Sequence, residues 1–115
     1  MRIRLGALLI VASAALATAA HGASPQRGAV LVAMHCGGCH ATLKQGASPF
    51  AAAPPFRELG QRYPVEDLQE ALAEGIVTAH PAMPQFRFSP DDVNDIIAYL
   101  KTIQAPHAEP VPAGR

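Results

Sequence analysis

Three stretches of the chain repeat apolar positions at helical spacing, and no stretch carries a convincing strand pattern. The strongest is "SPDDVNDIIAYLKTIQ", where Val93, Ile96, Ile97, Leu100 and Ile103 fall at i, i+3, i+4, i+7 and i+10. Ser89 precedes it as an N-cap, Pro90 takes the first helical position and Asp92 the capping-box position. "PVEDLQEALAEG" opens at Pro64, puts Val65, Leu68 and Leu72 on one face, and stops at Gly75. "SPQRGAVLVAMHC" predicts a helix over about 25 to 36, capped by Ser24, with Val30, Leu31 and Met34 at helical spacing. Residues 41 to 56, "ATLKQGASPFAAAPPF", have three prolines and no sustained period, and read as an ordered loop. In "IVTAHPAMPQFRF", Pro81 and Pro84 exclude a regular helix, so this is a second loop. No internal repeat occurs.

The two ends of the chain read differently from its middle. Arg2 and Arg4, an apolar run from Leu5 to about Ala20 and the small residues after it form the pattern of a secretory leader over residues 1–23. The run is shorter than the roughly 20 apolar residues that span a bilayer, so it predicts export without stable membrane insertion. Residues 24–104 then form one domain, and residues 105–115, "APHAEPVPAGR", a disordered proline-rich tail. The full chain is neutral, but from Ser24 onward seven Lys/Arg face nine Asp/Glu, a net charge of −2. Without a basic stripe or many aromatics, nucleic acid is not an expected partner. A domain this small is marginal on a hydrophobic core alone, which points to a cofactor or a cross-link.

The chemistry concentrates in "HCGGCH", residues 35–40. A helix ending in C-x-x-C places both sulfurs on one face, and the imidazole of the next residue on the same side. C-x-x-C-H is the attachment signature of c-type haem: each thiol adds to a porphyrin vinyl group, and the adjacent imidazole reaches the iron. On that reading Cys36 and Cys39 form thioethers and His40 is a ligand. Three other readings compete. A thioredoxin-like pair wants a strand before the cysteines, where this chain has a helix. Zinc needs four converging ligands, but His35 and His40 flank Cys36 and Cys39 too tightly to complete a tetrahedron, and even with His80 no fourth group stands out. A structural disulfide would close a loop too short to gain much entropy and leave His40 unexplained.

Taken together, the helix running into Cys36-Gly-Gly-Cys39-His40, the proline-bearing loop, the middle helix, the loop "HPAMPQF" and the terminal helix with "IIAYLKTI" resemble a class I c-type cytochrome over residues 26 to 104. The resemblance implies an all-α fold, with helices and ordered loops packed around one covalently bound haem c. It makes His40 the proximal iron ligand and Met83, followed by Pro84, the distal one. It implies that Gly28 lets the first helix cross the last near Ile96 and Tyr99. Where the family has an aromatic four residues further on, this chain has Val32. Pro54 or Pro55 is similar to the proline whose carbonyl orients the proximal imidazole.

His80 is the rival to Met83, in the same loop. His35 is expected at the surface or near a propionate, and Met34 in the core. Arg57, Arg62 and Tyr63 are candidates for a propionate or for a solvated face. With His40 and Met83 both on iron no position stays open for substrate. The expected function is therefore a periplasmic single-haem electron carrier, not an enzyme, meeting a donor dehydrogenase or membrane complex and an acceptor oxidase or reductase. The alternative is a haem-bearing subunit held permanently by a dehydrogenase or oxidase complex.

Overall fold

A computed structural model describes residues 22–75 and 81–106. The described residues form three α-helices with no strand: α1 (Pro25–Cys36), α2 (Leu68–Glu74) and α3 (Pro90–Ile103). Two 3₁₀ helices, Phe56–Gln61 and Val65–Asp67, lie between α1 and α2. None of the described helices is long and apolar enough to cross a membrane.

The helix starts follow from local chemistry. Ser24 Oγ accepts a hydrogen bond from the Arg27 amide at 3.2 Å, satisfying one of the donors a helix leaves free at its first turn. Ser89 Oγ accepts from the Asp92 amide at 3.2 Å and donates to Asp92 Oδ2 at 2.9 Å. The reciprocal contact thus runs through the serine hydroxyl, where a capping box would use the Ser89 amide. The expected middle helix begins as the 3₁₀ turn Val65–Asp67 and becomes α-helical at Leu68. Tightening of this kind is common at helix ends. It stops at Gly75, whose φ of +100° suits glycine and few other residues.

α1 packs chiefly on α3. A Cβ on Gly28 would overlap the Asp95 carbonyl oxygen and lie 2.8 Å from Tyr99 Cβ, so the crossing depends on a residue without a side chain. Val32, one turn further on, is completely buried. Gly28, Val32 and Cys36 are spaced by four and share the inward face. That orientation corrects the expectation for Val30 and Met34, which are 58% and 72% exposed. Two residues away from the inward row, they lie on roughly the opposite side of the helix.

The core joins Val32, Leu59, Val65, Leu72, Val93, Ile96, Ile97, Leu100 and Ile103. Asp95 is buried beside it: its Oδ1 accepts from the Ser24 amide at 2.6 Å, and Oδ2 lies 3.1 Å from Arg27 Nη1. That ion pair is close but poorly aligned, and Oδ2 makes no hydrogen bond. The Phe56–Gln61 helix, which hydropathy does not announce, is held by the end of α3. Gln104 Nε2 donates to Phe56 O at 2.9 Å, Gln104 Oε1 accepts from the Gly60 amide at 2.7 Å, and the Ala105 amide donates to Arg57 O at 2.8 Å.

Candidate functional site

α1 ends at Cys36 and the chain turns back on itself, the amides of Cys39 and His40 both donating to Cys36 O at 3.1 and 2.9 Å. This turn gathers the two thiols and the imidazole. Cys36 is partly buried, and burial pushes its thiol up to about 11; Cys39 is exposed, and the two sulfurs are not bonded to each other. His40 Nδ1 lies 2.8 Å from Pro54 O. A carbonyl oxygen only accepts, so Nδ1 carries the proton and Nε2 is left with the lone pair. The ring of Phe56 packs on the imidazole at 4.5 Å, tilted by 34°. Of the two candidate prolines, it is Pro54 that meets the histidine.

The loop that delivers Pro54 is ordered by its own bonds. The Ala41 amide donates to Ser48 Oγ, the Phe50 amide to Cys39 O, the Ala53 amide to Phe50 O and the Phe56 amide to Ala41 O, all between 2.9 and 3.1 Å. The expected ordered loop is found, and its order serves the imidazole.

Cys36, Cys39 and His40 form one part of the wall of a cavity of about 730 Å³, and Met83 forms another. Val32, Leu59, Leu72, Ile96 and Leu100 belong both to the hydrophobic core and to this wall. Much of the apolar interior therefore faces the cavity. Arg62 and Tyr63 also line it, whereas Arg57 donates to Gly46 O at 2.7 Å and lies 3.8 Å from Glu58. His35 lines the cavity too, with an exposed side chain whose ring meets Phe86 and Phe88. Met34 is at the surface of α1. His80 lies outside the described residues.

Sequence reasoning missed the contribution of Phe56, Phe86 and Phe88 to the site. The only available signal for the last two was the "FRF" spacing, which places two phenyl groups on one side of an extended segment.

These residues fit a large, flat, mostly apolar group with a metal at its centre. The volume is within the roughly 300–1,000 Å³ of small-molecule sites, the wall is mostly apolar, and its polar side chains include two thiols, the imidazoles of His40 and His35, a thioether and the Arg62–Tyr63 pair. A helix leads into the cysteines, against the thioredoxin-like arrangement. Among the described residues no three His, Cys, Asp or Glu side chains group as for a zinc ion. The sequence model of the Cytochrome c family matches residues 25–104.

The chain belongs to the cytochrome c family. It is a class I c-type cytochrome with the family's all-α fold and covalently bound haem c, its iron included. Comparison with curated proteins finds no match. Cytochromes c of this kind transport electrons between redox partner proteins, and this is the coarse function of the chain.

Proposed function

We propose that this cytochrome is a periplasmic single-haem electron carrier. In this reading Cys36 and Cys39 supply the two thioethers, and His40 and Met83 the two axial ligands. The observation that carries it is the convergence of these four residues, from the α1 turn and the distant Met83 loop, on one apolar cavity. Bound there, haem supplies one-electron chemistry between ferrous and ferric iron.

The chain's own part is to hold and to exclude. Pro54 O fixes the His40 ring by accepting a hydrogen bond from Nδ1–H, which sets the tautomer and the ring's direction and leaves Nε2 free to ligate. Pro81 and Pro84 restrict the backbone on either side of Met83, so a weak sulfur ligand is offered from a stiff loop. Val32, Leu59, Ile96 and Leu100 keep water away and disfavour the additional ferric charge. A soft thioether favours the ferrous state as well, so the potential is high among haem proteins and suits the oxidase end of a chain. Arg62 and Tyr63 are the groups for the carboxylate edge of the macrocycle. Residues 1–23 act as the leader that exports the chain.

Absorption and potential measurements on the oxidised and reduced proteins test the ligand set. Wild type shows the near-infrared sulfur-to-iron band. Met83→Ala abolishes it, opens the iron to carbon monoxide and lowers the potential, while His80→Ala leaves all three nearly unchanged. The opposite behaviour of the two variants makes His80 the ligand and removes the basis for a high potential.

A further inference from the structure

The segment carrying Met83 runs from Pro81 to the start of α3 without helix or strand, so its position depends on what its side chains touch. Its far end is pinned to α2, where the Phe88 amide donates to Leu72 O at 2.9 Å. A second anchor reaches α1. The His35 ring meets Phe88 at 5.2 Å and 76° and Phe86 at 5.7 Å and 66°, both edge-on, and the two phenyl rings stack at 5.8 Å and 24°. Ring pairs at these distances and angles are attractive beyond the area they bury. His35 immediately precedes Cys36, and Phe86 follows Met83 by three residues. The cluster therefore joins the residue next to a haem-attachment cysteine to the loop that carries the sulfur.

We infer that His35 is a positioning residue: its ring clasps Phe86 and Phe88 and so holds the Met83 loop against the end of α1, keeping the sulfur at its station. This rests on the reading of Met83 as the distal ligand. His35 is exposed and outside the hydrophobic core. Its removal therefore loosens the loop far more than it loosens the fold. An external ligand reaches the iron only when Met83 leaves, so a looser loop favours that ligand by the same factor by which it favours detachment.

Titration of the oxidised holoprotein with imidazole, followed at the near-infrared band, tests the inference beside guanidinium unfolding of the same samples. His35→Ala should lose half of the band at about ten-fold lower imidazole, the scale set by losing two aromatic contacts. His35→Phe, which keeps a ring at the position, should titrate within about two-fold of wild type. Phe86→Leu, weakening the clasp from the other side, should shift in the direction of His35→Ala. The inference is overturned if His35→Ala titrates like wild type, or if His35→Phe behaves like His35→Ala. It is also overturned if the shift in His35→Ala is matched by an equal loss of global unfolding free energy. Met83→Ala separates the two levels: if it retains the band, the ligand assignment fails; if it lacks the band while His35→Ala titrates as wild type, only the clasp fails.

Discussion

Gly28 rests against the Asp95 carbonyl with no room for a Cβ between α1 and α3. The nearest obstacles are main chain and the Tyr99 Cβ, neither of which swings aside as a flexible side chain does. Gly28→Ala therefore forces the helices apart and disturbs Val32, the most deeply buried residue of α1. Guanidinium unfolding followed by circular dichroism should show a loss of about 3 kcal/mol, at the upper end for overpacking. A variant as stable as wild type would contradict the crossing.

Tyr99 extends that crossing to the loop that follows His40, its hydroxyl donating to Thr42 O at 2.6 Å. Tyr99→Phe should cost about 1 kcal/mol at neutral pH, the usual net worth of one hydrogen bond. Burial raises the phenol above its ordinary value of 10.0, because the neutral form is the one the fold favours. A raised folded value means the contribution is fully present below the unfolded pKa and is lost as pH rises through the folded one. The stability gap between wild type and Tyr99→Phe should stay constant up to about pH 10 and narrow above it. A gap that widens there would contradict the assignment.

What the sequence disclosed was local. Ser24 with Pro25 and Ser89 with Pro90 mark helix starts through contacts three residues long, and both starts lie where the sequence places them. The C-x-x-C-H chemistry is also contained in five residues. On α1, hydropathy cannot weigh a glycine, so periodicity alone pointed to Val30 and Met34 on the wrong side, whereas Gly28 at the crossing was visible through the family resemblance. The Phe56–Gln61 helix was hidden because Gln104, more than forty residues away, holds it. Only the fold distinguishes Pro54 from Pro55, or brings His35 to two phenylalanines some fifty residues further along the chain. Met83 was visible through the family resemblance, not through any local pattern.

Because Val32, Leu59, Leu72, Ile96 and Leu100 are core and cavity wall at once, an empty cavity leaves the core half finished. A bound group that meets these side chains stabilises the native state by mass action and contact together. Cys36→Ala combined with Cys39→Ala should yield a protein with little stable helix by circular dichroism. A cooperative thermal transition at the wild-type temperature would show that the polypeptide completes its core unaided.

Cys36 and Cys39 are proposed to carry the haem through two thioethers. The most direct measurement is acid–organic extraction of the purified holoprotein, followed by mass mapping of its proteolytic peptides after thiol alkylation. The colour should stay with the polypeptide, the peptide containing residues 36–40 should carry the mass of one haem, and neither cysteine should be alkylated. Colour leaving with the solvent, with both thiols alkylated, would contradict that attachment.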